Sequence, residues 1–347
     1  MMENKKDKYK YFGAIHIHTL YSDGTGNIEA ITNSAKKAGL DWIIITDHNN
    51  FDVQEGIING IYVIKGEEIS PDYGNHYIAL GINKLIQPSD NSQDNVDTVK
   101  LNGGFGFSAH PDESDIRKNS HRPLKWTDKD IIPDGIEIWN LFSQWADNYN
   151  SKNIFTIAYS YLFKQNLITK PYQKTLEWWD ELNNKNKKIV PAIAGSDAHE
   201  FKISKYIIPV KVLSYEYSFK TILNKIYLKE DLSQNFETAK EQILNAIKNG
   251  NNIIANMSVC KDIPKICISN NNTTVQCGET LKLDNNTYII VECKRNTKIT
   301  VVKDGIKINT THSENLKLKL SESGKYRVET ELNGKGFAYS NPIIVED

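Results

Sequence analysis

The apolar positions of the first 255 residues alternate between two spacings. "YFGAIHIH" has the apolar run of a strand, whereas "NIEAITNSAKKAGL" has apolar residues at helical spacing and ends at Gly39. Further short strands are predicted at "DWIIITDH", "GIYVIKGEEIS", "HYIALGI", "GFGFSAHP", "DGIEIWN" and "VPAIAGSDAH". A long helical stretch that includes "TLEWWDELNNKNKK" lies between the last two. Repeated strand–helix–strand order is typical of a mostly parallel sheet.

The pattern changes near residue 256. "PKICISNNNTTVQCGETLKL", "NTYIIVECKRNTKITVVKDGIKINT" and "GKYRVETELNGKGFAYSNPIIV" are β-rich runs interrupted by Asn, Gly and Asp, and "KDGIK" is a hairpin signal. The helical segment "ETAKEQILNAIKNG", which ends at Gly250, leads into this change. We therefore predict an α/β domain over residues 1–255 and a small all-β sandwich domain over residues 256–347.

The polar residues of most chemical interest follow the apolar runs of the first domain. In α/β folds, sites are built at the carboxyl ends of the strands. His16 and His18 occupy alternate positions of the first strand, so both imidazoles are expected on one face, about 7 Å apart along the strand. Because Asp23 follows in the next turn, this pair favours metal ligation over a structural role for a single histidine.

The other strand ends carry the same residue types. The candidates there are His48, Glu67, Glu68, His76, His110, Asp197 and His199. Asp47 is interpreted either as a turn or cap residue or as a partner that orients an imidazole. Adjacent strand residues face opposite ways, so one of Glu67 and Glu68 is expected in the site, and alternation does not choose between them.

Composition narrows the function classes. The chain has 347 residues, 39% hydrophobic and 24% charged, with a formal net charge of −1. No basic stripe suggests an obligate nucleic-acid partner. No apolar run resembles a signal peptide or a membrane span, so we expect a cytoplasmic protein. The four cysteines lie in the last third without a C-x-x-C pair and are interpreted as buried thiols.

Taken together, the motifs resemble those of the PHP (polymerase and histidinol phosphatase) family of metallohydrolases. They are H-x-H followed by S-D-G, then T-D-H, G-x-E-I-S, H-x-x-x-L-G, A-H-P and G-S-D-A-H, in this order over residues 10 to 255. The resemblance implies a distorted (β/α)7 TIM-like barrel with two or three divalent metal ions (Zn²⁺, Mn²⁺ or Fe²⁺) at the carboxyl ends of its strands.

The resemblance also implies a distribution of ligands. The first metal would be held by His16, His18, Glu68 and Asp197. Glu68, which the G-x-E-I-S match selects over Glu67, would bridge to a second metal held by His76 and His110. A third metal would be held by Asp23, His48 and His199.

A looser similarity points to one branch of the family, which includes carbaryl-hydrolase-like enzymes. It rests on "GIEIWN", on the "WWDELNNKNKKIVPAIAGSDAH" segment and on the β-rich carboxyl-terminal part that ends in "FAYSNPIIV". Glu137 and Asn140, from "IEIWN", are interpreted either as a pair that caps a helix or as support for the ligands.

We expect a hydrolase in which metal-activated hydroxide attacks a small phosphate monoester or nucleotide. Asp197, His199 and Glu68 are the catalytic candidates at the metals. Arg117 or Arg122 is expected to bind a phosphate, with His121 as the acid for the leaving group, although this segment is equally interpreted as a solvated charged loop. Alternatives are hydrolysis of a non-phosphate ester, amide or carbamate, and a non-catalytic metal-containing binding module. The oligomeric state is left open.

Overall fold

The computed structural model of the chain describes residues 9–113, 124–148, 164–203 and 210–347. The helices in these ranges are α1 (Ile28–Ala38), α2 (Ser92–Leu101), α3 (Leu141–Asn148), α4 (Gln173–Lys185), α5 (Tyr215–Phe219) and α6 (Phe236–Lys248), with a 3₁₀ turn at Lys164–Asn166. None of these helices is both long and apolar enough to cross a bilayer.

The strands up to residue 256 form most of one sheet. They are β1 (Lys10–Ile17), β2 (Trp42–Ile45), β3 (Gly56–Ile58), β4 (Ile61–Lys65), β5 (Glu67–Ile69), β6 (Tyr77–Leu80), β7 (Phe105–Ser108), β8 (Gly135–Asn140), β9 (Ala192–Ala198), β10 (Phe201–Ile203), β11 (Val210–Val212), β12 (Ile222–Tyr227) and β13 (Asn252–Asn256). β10 and β11 pair only with each other in the described ranges.

The sheet is large and mixed. β1 is parallel to β2 and β9, β2 is parallel to β4, and β7, β8 and β9 are parallel in turn. β6 is antiparallel to both β5 and β7. The expectation of an α/β fold is therefore confirmed, although the sheet is mixed rather than mostly parallel. These pairings do not establish the finer expectation of a (β/α)7 barrel, because a strictly alternating chain would make every strand parallel to its neighbours.

Local sequence accounts for the helix ends. The Asn27 side chain accepts the backbone N–H of Ala30 at the start of α1, and Gly39 closes this helix with a φ of 77°. The stretch containing "TLEWWDELNNKNKK" forms α4, which buries Trp179 and Leu182 against the sheet. Both helices lie where the apolar spacing predicts them.

The carboxyl-terminal strands extend the same sheet. They are β14 (Lys265–Ser269), β15 (Thr274–Val275), β16 (Thr280–Lys282), β17 (Tyr288–Lys303), β18 (Ile306–Lys319), β19 (Gly324–Leu332), β20 (Lys335–Ser340) and β21 (Ile343–Glu346). The predicted "KDGIK" hairpin joins β17 to β18. β20 pairs with β13, where Tyr339 lies opposite Ile254, so strand pairing crosses the proposed boundary at residue 255. Three of the four cysteines are buried and Cys293 is half-buried, all as free thiols.

Candidate metal centre

The strand ends bring nine predicted ligands together. Their nitrogen and oxygen atoms form overlapping groups, within each of which all ligand atoms lie within 4.8 Å of one another. The groups are His18, Asp23, His48 and His199; His16, His110 and Asp197; His16, His18 and Glu68; and His48, Glu68 and His76. Residues that are up to about 180 positions apart in sequence thus converge at one place.

Glu68 lies at the middle of the cluster and is fully buried. Its Oε1 is 2.8 Å from His76 Nδ1 and 3.1 Å from His110 Nε2. Its Oε2 is 2.9 Å from His48 Nδ1, 3.2 Å from His16 Nε2 and 3.3 Å from His18 Nε2. Each carboxylate oxygen therefore faces a different group of imidazoles, two at Oε1 and three at Oε2, which is the arrangement that a bridging ligand requires.

Glu67 lies outside this cluster. Its Oε2 accepts the backbone N–H of Ile86, and burial raises the pKa of this carboxyl to about 7. The two adjacent glutamates thus face opposite ways, as strand alternation requires.

The cluster opens to solvent on one side, at Asp23. The Asp23 side chain is 55% exposed, and its Oδ1 lies 3.0 Å from His199 Nε2 and 3.8 Å from His48 Nε2. Asp197 lies deeper, with Oδ1 3.4 Å from His18 Nε2 and 3.3 Å from His199 Nδ1. The outer group is therefore accessible, whereas the inner groups are enclosed.

Three candidate ligands have unusual backbone conformations. His16, His110 and Asp197 have φ values of 66°, 27° and 45°, a region that residues other than glycine rarely adopt. At His16 the register between β1 and β9 shifts by a bulge, and the rings of His16 and His18 come to 5.2 Å between centroids. Such strain is concentrated at functional sites, and a pattern of apolar and polar positions carries no signal for it.

The pKa values follow from burial among opposite charges. Burial, together with the charges of His199 and His48, lowers the pKa of His18 to about 3. Burial opposes ionisation of Glu68 and Asp197, but the surrounding imidazoles hold the pKa of each carboxyl well below its usual range. The centre therefore offers a neutral imidazole and two ionised carboxylates near pH 7.

The donor set fits divalent metal ions. His16 Nε2, His18 Nε2 and Glu68 Oε2 are buried and make no hydrogen bond within the described part of the chain. A buried polar atom left without a partner costs about 1–3 kcal/mol, so three that converge indicate a shared ligand. Imidazole nitrogen and carboxylate oxygen suit Zn²⁺, Mn²⁺ and Fe²⁺.

Other polar residues hold the loops around the cluster. Asp47 accepts the backbone N–H and the hydroxyl of Thr19 and the hydroxyl of Ser22. It therefore fixes the turn that leads to Asp23, in line with the turn interpretation. The Ser70 hydroxyl lies 2.6 Å from His48 Nδ1, a contact that the sequence analysis missed and that the serine of G-x-E-I-S could have suggested.

Three predicted residues cannot be placed. Arg117, His121 and Arg122 lie outside the described residues, so the expected phosphate-binding arginine, Arg117 or Arg122, and the expected acid, His121, stay predictions. Glu137 and Asn140 do lie at the cluster: Asn140 Oδ1 accepts the backbone N–H of Ser143 at the start of α3, and Glu137 Oε1 is 2.7 Å from His16 Nδ1. Asn140 thus caps α3, whereas Glu137 contacts a candidate ligand.

A family model described as "PHP domain" matches residues 14–254. Among solved structures, a two-domain protein containing predicted PHP-like metal-dependent phosphoesterase, from Bacteroides vulgatus ATCC 8482, is 14% identical, with 96% of this chain and 95% of that chain covered and a TM-score of 0.48. PsfC from Pseudomonas syringae PB-5123 is 10% identical, with 69% and 90% covered and a TM-score of 0.43. No curated protein matches the chain.

Proposed function

The chain belongs to the PHP domain family, and we propose that it is a metal-dependent phosphoesterase that hydrolyses a small phosphate monoester or a nucleotide. The observation that supports this most directly is the Glu68 carboxylate, whose two oxygens face separate groups of imidazoles. Family membership and this donor set support a metal-dependent hydrolase; the phosphoester substrate is the finer part of the proposal.

We propose two or three divalent ions, zinc, manganese or iron, held by the distribution of ligands that the family resemblance implies. His16, His18, Glu68 and Asp197 would hold one, Glu68, His76 and His110 the second, and Asp23, His48 and His199 the third. When bound, such ions supply Lewis acidity that polarises a phosphoryl oxygen and makes water a stronger nucleophile near neutral pH.

The residues of the chain would set up this chemistry in distinct ways. Glu68 and Asp197 place negative charge in a buried site, where only cations can balance it. The neutral imidazole of His18 keeps a lone pair available for coordination. His199 and Asp23 line the exposed side, where substrate enters and protons are exchanged with water.

The finer description of the fold belongs to the same proposal. The pairings of β1 with β2 on one side and β9 on the other support a distorted (β/α)7 barrel with the ligands at the carboxyl ends of its strands. Residues 1–255 would form this barrel domain and residues 256–347 a β-sandwich domain. Assignment to the branch with carbaryl-hydrolase-like enzymes stays a prediction.

Parallel assays test the function. Purified protein is analysed for metal content and assayed with p-nitrophenyl phosphate and p-nitrophenyl acetate, before and after treatment with EDTA. We expect phosphate release that EDTA abolishes and that added Mn²⁺ or Zn²⁺ restores. Hydrolysis of the acetate alone would favour a non-phosphate ester, amide or carbamate as substrate. Metal-replete protein that is inactive across a broad ester panel would favour a binding module.

A further inference from the structure

We propose that Glu137 is a positioning residue that fixes His16 and His110, two ligands of adjacent metal ions, in their coordinating orientations. This inference rests on the proposed metal-dependent function. It assigns a role to a residue of β8 that ligates no ion in the proposed scheme.

The contacts of Glu137 account for both of its oxygens. Oε1 lies 2.7 Å from His16 Nδ1, and Oε2 accepts the backbone N–H of His110 at 2.6 Å. Asn140 Nδ2 donates to the same Oε2 at 3.0 Å and lies 3.3 Å from Asp197 Oδ2. Because the Glu137 side chain is buried, this carboxylate and its amide neighbour reach three candidate ligands from one strand without competition from water.

The Glu137 contact determines which nitrogen of His16 faces the cluster. A carboxylate can only accept, so Nδ1 must carry the proton and donate it to Oε1. Nε2, which lies 3.2 Å from Glu68 Oε2, is then the nitrogen with a free lone pair. A carboxylate behind an imidazole also raises the basicity of the coordinating nitrogen.

Glu137 also supports the two strained backbones. His16 and His110 both have positive φ, a conformation that persists only where surrounding contacts over-determine it. The Glu137 carboxylate contacts the side chain of His16 and the backbone N–H of His110. One carboxylate thus couples the geometry of two strand ends.

An independent observation comes from Gly195 on β9. A Cβ atom at this position would lie 1.5 Å from Glu137 Oε1 and 2.5 Å from its Cδ. The glycine of "AGSDAH" therefore makes the space in which the carboxylate sits. Its own φ is not in the left-handed region, so alanine there would disturb Glu137 rather than the backbone.

The first test compares two buried glutamates. Glu137→Gln keeps the size of the side chain but leaves one acceptor oxygen for the His16, His110 and Asn140 donors. Glu67→Gln is the matched control, since Glu67 is equally buried, lies outside the cluster and accepts a hydrogen bond from the backbone N–H of Ile86. Zinc affinity is measured by competition with a chromophoric chelator, and the melting temperature of the metal-free proteins is measured alongside. We expect the dissociation constant for zinc to rise about 10–100-fold in E137Q and to stay unchanged in E67Q.

The second test is a double-mutant cycle. Gly195→Ala alone should weaken zinc binding, because its Cβ displaces the Glu137 carboxylate. Glu137→Ala should weaken it as well, and the G195A/E137A double variant should bind zinc no worse than E137A, because the clash has been removed. Additive losses of zinc affinity in the double variant would mean that Gly195 acts through another contact. They would overturn the inference that Gly195 makes space for Glu137.

The third readout is spectroscopic. In the zinc-loaded wild-type protein, the Nδ1 proton of His16 should give a downfield, slowly exchanging imidazole signal in the proton NMR spectrum. This signal should be lost in E137Q and retained in E67Q. A merely structural glutamate would lower the melting temperature and leave both the zinc affinity and this signal intact, which would overturn the proposal. Wild-type protein that binds no zinc, manganese or iron would instead overturn the proposed function itself.

Discussion

Single residues carry the strain of this site. His16, His110 and Asp197 each hold a positive φ, at a cost of about 1–3 kcal/mol apiece. The side chain of Ser196 donates to the carbonyl oxygens of Ile15 and His16, so the residue next to Asp197 stabilises the bulge at His16. The "GSDAH" motif thus contributes more than its two ligands: its glycine leaves room for Glu137 and its serine holds the opposite strand.

Substitution of Glu68 should remove more metal ions from the protein than substitution of Asp23. Glu68→Gln removes charge from a carboxylate that faces two groups of imidazoles, so we expect loss of more than one ion per chain and a fall in hydrolysis on the order of 100-fold or more. Asp23→Asn affects the exposed outer group alone and should cost at most one ion. Elemental analysis of both purified variants measures this, and equal metal loss in the two would contradict the bridging role.

Asp47 should matter for stability. It accepts three hydrogen bonds from Thr19 and Ser22, and Asp47→Asn replaces one of its acceptor oxygens with a donor. We expect a loss of about 1–3 kcal/mol in the free energy of unfolding, measured by urea denaturation. Asp52→Asn, at an exposed position, serves as the control. Equal stability of the two variants would show that the hydrogen bonds of Asp47 do not stabilise the fold.

The residue types of the site could be predicted, but their geometry could not. Histidine and carboxylate at strand ends indicated a metal centre, and the structure brings all nine predicted ligands together. Strand alternation could not choose between Glu67 and Glu68, because both lie on apolar faces and only tertiary packing separates them. The bulge at His16 was also beyond the pattern, since strict alternation assumes an unbroken strand.

At the scale of elements, strand and helix positions followed from spacing, whereas strand direction did not. The apolar runs predicted β1, β2, β8 and β9, and helix signals predicted α1 and α4. The antiparallel course of β6 was missed, because a buried strand is apolar on both faces whichever way it runs. Short connections could have indicated it: seven residues separate β5 from β6, too few for a crossover helix.

One ion-pair network should hold α4 against the carboxyl-terminal strands. Arg327 on β19 donates to both carboxylate oxygens of Asp180 on α4, at 2.8 and 2.7 Å, and to Glu329 at 2.6 Å. Arg327→Met would leave two carboxylates without their buried cation. We expect this to destabilise the protein by about 3–5 kcal/mol.

Urea denaturation of R327M measures the effect against a surface control. Lys294 pairs with Asp262 on the exposed surface, where water and salt screen the charges. Lys294→Ala should therefore leave the midpoint of urea denaturation unchanged. Similar midpoints for the two variants would show that the buried network contributes nothing to stability.

At the scale of the whole molecule, the two parts of the chain complete each other. β13 and β20 share a ladder, and Tyr339 packs in the same cluster as Trp139 and Trp179 of the first part. Asn341, which is fully buried, accepts the backbone N–H of Ala192 at 2.7 Å and donates to its carbonyl oxygen at 2.9 Å. Ala192 begins β9, the strand that ends at Asp197 and precedes His199. A carboxyl-terminal residue thus fixes the start of a ligand-bearing strand.

The last prediction follows from this contact. Asn341→Ala would leave the buried backbone N–H of Ala192 without its side-chain acceptor, whereas the Ala192 carbonyl oxygen would keep Asn252 Nδ2 as a donor. We therefore expect a loss of about 1–3 kcal/mol in the free energy of unfolding together with weaker zinc binding. Asn315→Ala, at an exposed position of β18, is the matched control and should change neither quantity. A chain that ends at Lys261 lacks Asn341 and β20, one of the two partner strands of β13. It should aggregate or melt at a markedly lower temperature than the full chain, as measured by circular dichroism. If that shortened chain instead melted like the full protein and bound zinc equally well, the carboxyl-terminal strands would be an appendage, and the support that they give to β9 would be disproved.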